Sequence, residues 1–444
     1  MSIVRTAILT VVAFLVVVTV GESVAQDTAS IQASISMSVE EPLRQESSPG
    51  VAESSSCDLM REIGPALTAL SSQLPDIGDK RFSYTEVRSG KRRAFSDVEK
   101  EFALAVLHTD TCQTEIITIL KRGDDLIAPD GWKIEVPQRQ NGIRWNNWNT
   151  AFRITKPANA VVIANVEPFK ERNATTRLIR TADGEFKDVK METEGIDYRM
   201  YVPYSPDLHA TQLVEAGWQY IDNLVVSTFN ELERKRVPSQ AVPGALVTEV
   251  PVFTHDMFKE LPLIEQMGMG EFIVAPERTA ERVFILFGTN QERAFKWTCN
   301  SAGACGAYQF TDNRWNGYEG TYTTIRQKYP EAHLIRDFLD GAADHRNIAQ
   351  MAMLLYDHNL GLLLKRYGQT IMEDPRLREY LAALYNASPA RVFVAIDAAL
   401  DQGTQDWTTH LPARIKTETG GYIAKLRFLQ EWARERQIAQ NPIE

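Results

Sequence analysis

ATQLVEAGWQYIDNLVVSTFNELERKRV, residues 210–237, places Val214, Trp218, Ile221, Val225, Phe229 and Leu232 at intervals of three and four. That interval puts all six on one face of an α-helix. The stretch also divides the chain by texture. Before it, residues 126–202 run as short β-like pieces such as WKIEVPQ, TAFRITK, NAVVIANVEPF and IDYRMYVPY, split by Gly, Pro, Asn and Asp. After it, VPSQAVPGALVTEVP reads as an extended connector, and from about Phe253 the pattern is helical to the end. PERTAERVFILFGTNQERAF carries Pro276 near the first helical position, with apolar Val283, Leu286 and Phe287. Further helices are expected over 344–368, 374–387, 388–400 and 420–437. No internal repeat is present.

Nearer the N-terminus, CDLMREIGPALTALSSQL (57–74) has helical apolar spacing. FSDVEKEFALAVLHTDTCQTEIITILKRG (95–123) is expected to be a second helix, with Ser96 and Glu99 as a capping box and Phe95 as a staple. The expected class is therefore mainly α: an α+β domain over about 57–250, then a helical domain over about 253–435.

The 444 residues suffice for two or three cores, and 44% hydrophobic with 24% charged residues is ordinary globular composition. A net charge of -10 and a pI near 5.4 argue against nucleic acid as partner. At the start, Arg5 precedes an apolar run from Ala7 to Val20, and Ser23-Val24-Ala25 offers a small-residue cleavage site. We read 1–25 as a secretory signal cut after Ala25. Residues 26–56, rich in Ser, Glu and Gln, read as a disordered tether. Export would place Cys57, Cys112, Cys299 and Cys305 in an oxidising compartment, where four cysteines allow three pairings. Cys57–Cys112 with Cys299–Cys305 keeps each bridge within one segment and is the expected pairing. Cys-x5-Cys without a nearby His pair is a poor zinc pattern, so neither a metal nor an organic cofactor is expected.

NQERAFKWTCNSAGACGAYQF, residues 290–310, holds one carboxylate ahead of a tract of small residues. Glu292 falls near the C-terminal end of an expected helix. Partial desolvation there would keep its carboxyl protonated and able to donate to a leaving oxygen. The small residues from Ser301 to Ala307 would let backbone lie close to a ligand, and Gln309 could hydrogen-bond an amide or hydroxyl.

The same stretch resembles the soluble (SLT) type of lytic transglycosylases, whose pattern is E-S-x-F, a spacer, then S-x-x-G-A-x-G-L-M-Q. Here ERAF spans 292–295 and SAGACGAYQF spans 301–310. Three more blocks follow in the family's order: Asn347-Ile348, the LYNA block with Tyr385 and Asn386, and TETGGYI with Glu418, Thr419 and Tyr422. The likeness covers about residues 280–430. This chain departs from the pattern at Arg293 in place of Ser, Tyr308 in place of Met and Ser388 in place of Gly. Residues 57–250 carry no such likeness.

The resemblance implies a lysozyme-like helical fold and cleavage of the β-1,4 bond between N-acetylmuramic acid and N-acetylglucosamine in peptidoglycan. The product would be a 1,6-anhydromuramoyl end. A single acid/base, Glu292, would protonate the leaving oxygen and then take the proton of the 6-hydroxyl. Ser301, Gln309, Tyr385 and Glu418 would hold sugars or polarise the acetamido group. Tyr308, Asn386 and Tyr422 would shape the cleft. The implied partner is the peptidoglycan glycan strand, in the periplasm or envelope, with envelope proteins as possible partners of the first domain. Two other readings stand beside it. Asp312 could activate water, as in goose-type lysozymes, or the domain could bind glycan without cleaving it. Trp145 and Trp148 beside Arg144 read as core aromatics or an accessory sugar platform, and His345 and His358 as packing or surface residues.

Overall fold

The computed structural model describes residues 57–72, 80–88, 91–122, 125–135, 152–180, 186–300, 302–313 and 319–440. The signal and tether expected over 1–56, the Trp145–Trp148 pair and Ser301 lie outside these. Helix α1 (Leu59–Ser72) buries Leu59, Ile63, Ala66 and Leu70, spaced four, three and four apart, as the sequence pattern predicts.

Beyond α1 the chain builds antiparallel sheet. Its strands are β1 (Lys80–Arg88), β2 (Lys91–His108), β3 (Gln113–Arg122), β4 (Asp125–Ile127), β7 (Ala160–Arg180) and β8 (Phe186–Tyr201), in the order β4-β3-β2-β7-β8 with β1 pairing β2. A separate hairpin joins β5 (Lys133–Glu135) to β6 (Arg153–Lys156). The helix expected over 95–123 is therefore a β2–β3 hairpin, with Phe102 opposite Ile119 and Leu104 opposite Ile117. The reason is burial on two sides. Phe102, Leu104 and Val106 pack with Ile117 and Ile119 in one small core. Ala103, Ala105 and Leu107 point the other way, into the main core with α1. A strand apolar on both faces loses its alternation in sequence and resembles a helical run.

From residue 211 the chain is helical: α2 (Thr211–Arg234), α3 (His255–Gln266), α4 (Met269–Val274), α5 (Pro276–Asn290), α6 (Thr321–Lys328), α7 (Phe338–Ala343), α8 (His345–Tyr367), α9 (Leu377–Asn386), α10 (Pro389–Gln402) and α11 (Ala413–Gln440). The protein is mainly helical, with the sheet confined to its N-terminal part. Residues Ser55–Glu444 form one compact unit. Helix α8 is buried on almost every side, through Ile348, Met351, Leu354, Tyr356, Leu360 and Leu363 among others. α2 and α5 meet backbone to backbone. A Cβ on Gly217 would lie 1.8 Å from the Phe284 carbonyl oxygen, and one on Gly288 would lie 2.6 Å from the Gly217 nitrogen.

The residue after β8 is bonded to the end of α5 through an amide side chain. Asn290 is buried; its Oδ1 accepts from Val202 N at 2.7 Å and its Nδ2 donates to Val202 O at 3.0 Å. Among the described residues of the helical core, the Asp357 carboxylate is fully buried. It accepts from the Ser239 hydroxyl at 2.5 Å, Gln240 N at 2.7 Å and the Tyr329 hydroxyl at 2.7 Å. Both expected disulfides form, Cys57–Cys112 and Cys299–Cys305. No helix among the described residues is long and apolar enough to cross a membrane, and a chain with all four cysteines bridged suits an oxidising compartment.

Candidate active site

Two acidic residues end neighbouring helices, and the structure treats them differently. Glu292 follows α5 in a short 3-10 turn (Gln291–Arg293) and is exposed, contrary to the partly desolvated carboxyl expected of it. It lines an open groove of about 660 Å3 with Tyr220, Asn223, Lys296, Asp344 and Arg346. His345 lies beneath. Its Nε2 donates to Ala294 O at 2.7 Å, so its Nδ1 accepts from the Tyr220 hydroxyl at 2.8 Å. Burial pushes this imidazole down to about 4, which keeps it neutral. His345 is thus the packing residue expected, locking the chain just after Glu292.

Glu265, in the last turn of α3, is part-buried and was not singled out from the sequence. Its Oε1 accepts a hydrogen bond from the Tyr422 hydroxyl at 2.9 Å. Burial pushes its carboxyl up to about 8, outweighing the lowering effects of Tyr422 and Lys425, and the nearby Glu418 carboxylate pushes it the same way. The carbonyl-rich C-terminal end of a helix also disfavours negative charge. Glu265 in turn helps raise the phenols of Tyr385 and Tyr422, although desolvation is the main cause for both. Tyr385, Glu418 and Tyr422 therefore lie within electrostatic reach of Glu265, while Glu292 acts on Tyr220 and His345.

The disulfide loop that follows α5 is built tightly. Cys305 and Phe310 exchange both backbone hydrogen bonds, at 2.8 and 3.0 Å. Gly306, at φ +76, touches α7 so closely that a Cβ would lie 2.0 Å from the Ala342 carbonyl oxygen. Gln291, Phe295 and Gln309 all take positive φ, a strained conformation for side-chain-bearing residues that the surrounding contacts must hold. The neighbour of Glu265, Gln266, donates its amide to Gly306 O at 3.1 Å and Ala307 O at 3.0 Å. The end of α3 is thereby fastened to the disulfide loop.

The other expected site residues fall as follows. Gln309 is part-buried and donates Nε2 to Gly306 O at 2.9 Å, so it braces the loop. Tyr308, expected to shape a subsite, is only 1% exposed. The reason is its place in the turn: the ring points into the core, and its backbone oxygen accepts from the Tyr385 hydroxyl at 2.8 Å. Asn386 Oδ1 accepts from the Thr419 hydroxyl at 2.9 Å, tying α9 to α11. Glu418 is exposed one turn before Tyr422. Asp312 gives both carboxylate oxygens to Thr323, at 2.8 Å from its backbone N and 2.8 Å from its hydroxyl, and so caps the start of α6. Among the described residues no group of three His, Cys, Asp or Glu is placed to hold a metal ion.

No protein-family model, no curated protein and no solved structure matches this chain. The signal that could have found Glu265 is the segment LPLIEQMG (261–268), an acid directly after an apolar run and three residues before a glycine.

Proposed function

We propose that this protein cleaves the glycan strands of peptidoglycan as a lytic transglycosylase on a lysozyme-like helical domain. We also propose that Glu265, in place of Glu292, is its acid/base. The reading rests on the order of the sequence blocks. The observation that carries the choice of acid is the hydrogen bond of the Tyr422 hydroxyl, at 2.9 Å, to the part-buried carboxyl of Glu265, whose proton Glu418 also helps to hold. A carboxyl held near 8 is protonated at neutral pH, as a general acid must be. Tyr422 orients it through Oε1, which leaves Oε2 to carry the proton to the glycosidic oxygen. The resulting carboxylate then takes the proton of the sugar's 6-hydroxyl as that oxygen closes on C1. Glu418, on the rim, would polarise the acetamido group that stabilises C1. Asp312 has both oxygens engaged in the α6 cap, which favours anhydro products over hydrolysis. In this reading the chain is exported by its first 25 residues and acts in the periplasm.

Purified sacculi incubated with the protein test this directly, with products read by mass spectrometry. Anhydromuramoyl ends are expected, and Glu265→Gln should remove them. Reducing ends would replace the reaction by hydrolysis. No release at all by the wild-type chain would leave a glycan-binding protein. Full release by Glu265→Gln would return the acid role to Glu292.

A further inference from the structure

α11 holds the end of α3 with two side chains three residues apart, a spacing that puts them on one helix face. Tyr422 donates to the Glu265 carboxyl, and Lys425 Nζ donates to the carbonyl of the residue before it, Ile264 O, at 3.1 Å. Ile264 is among the last four residues of α3, whose carbonyls have no amide partner inside the helix. A cation there also meets the negative end of the helix dipole. Ile264 is buried and Lys425 part-buried, so water competes weakly for this bond.

The ammonium is bonded to that carbonyl and feels the Glu265 carboxyl as a nearby charge. The difference matters. A direct ion pair would pull the carboxyl far down and leave it ionised at neutral pH, with no proton to give. Held against the neighbouring carbonyl, the ammonium lowers it only in part, and burial still prevails. The other titratable groups that act with Glu265 are Tyr422 and Glu418 on α11, Tyr385 on α9 and Tyr356 on α8. Among these Lys425 alone is a cation. Once Glu265 gives up its proton, its new charge sits in a desolvated place near the Glu418 carboxylate, and the ammonium offsets both costs.

We propose that Lys425 is the positioning residue of Glu265: it fixes the end of α3 through the Ile264 carbonyl and stabilises the carboxylate that Glu265 becomes when it gives up its proton. Its place in catalysis rests on the reading of Glu265 as the acid. Lys425 touches neither sugar nor reacting atom in this account. It sets the strength of the acid that does.

The test titrates the Glu265 carboxyl itself, by carbon-13 NMR of the full chain labelled at glutamate carboxyls. Its signal is the one missing from Glu265→Gln. Lys425→Met keeps the side-chain length without the charge and should make Glu265 about a tenfold weaker acid. The falling limb of muropeptide release against pH should move up with it. Lys425→Gln, which keeps a donor for Ile264, should do the same, and Lys425→Arg, which keeps the charge, should stay within about twofold of wild type. A carboxyl titration unmoved in both neutral variants would overturn the proposal. So would a shift in Lys425→Arg as large as that in Lys425→Met, which would make the effect one of packing. A moved titration together with full release by Glu265→Gln would overturn the acid role of Glu265 and leave its coupling to Lys425 standing.

Discussion

At position 265 a carboxyl sits where water is scarce and a tyrosine hydroxyl points at it. Replacing it with Gln keeps the shape but removes the proton, so muropeptide release should fall by about a hundredfold or more. Glu292→Gln, at an exposed turn, should stay within about twofold of wild type, since surface charges rarely carry such weight. The pH profile follows from the same group. Activity should fall as pH rises through about 8, where Glu265 loses its proton. Tyr422 holds that pKa down, so Tyr422→Phe should move the falling limb to higher pH while lowering the rate. Stability carries the same signature. A carboxyl raised from 4.5 to about 8 on folding favours the folded state below 4.5, and that contribution is lost as pH climbs through about 8. Glu265→Gln should flatten that part of the decline in urea melts. Glu260, also pushed up to about 8 by burial, would leave a second part of it in place.

At the scale of elements, the α2–α5 crossing has no room for a methyl group. Gly217→Ala would drive a Cβ into the Phe284 carbonyl, so one helix must move. We expect a loss of about 3 kcal/mol or more, read by thermal or denaturant unfolding. Asp357, on α8, gathers donors from the connector after α2 and from Tyr329. Asp357→Ala leaves those donors buried and unpaired, for a cost of about 3 kcal/mol in the same measurement. Helices of this kind were legible from the sequence. The six-residue face of 210–237 is indeed the face of α2 that meets the core, with Trp218 at its half-buried edge. The β2–β3 hairpin was not legible, because its two apolar faces feed two different cores and erase the alternation that marks a strand.

For the whole molecule, the two bridges act at different ranges. Cys57–Cys112 spans 55 residues and should contribute about 4 kcal/mol through loop closure, against about 2 kcal/mol for the six-residue Cys299–Cys305. Comparing Cys57→Ser/Cys112→Ser with Cys299→Ser/Cys305→Ser by chemical denaturation should rank them in that order. The short bridge should matter more to activity, since it lies in the loop that Gln266 fastens to α3.

The chain by itself determined which segments are helical wherever one face is apolar and the other wet. That feature depends on neighbours within a few turns. Tertiary packing alone decided which acid is desolvated. Glu265 and Tyr422 are 157 positions apart, and Glu292 was conspicuous only by its sequence neighbours. A carboxyl's protonation depends on the dielectric and charges within a few ångströms of it, and those are supplied by whichever distant helices the fold brings together.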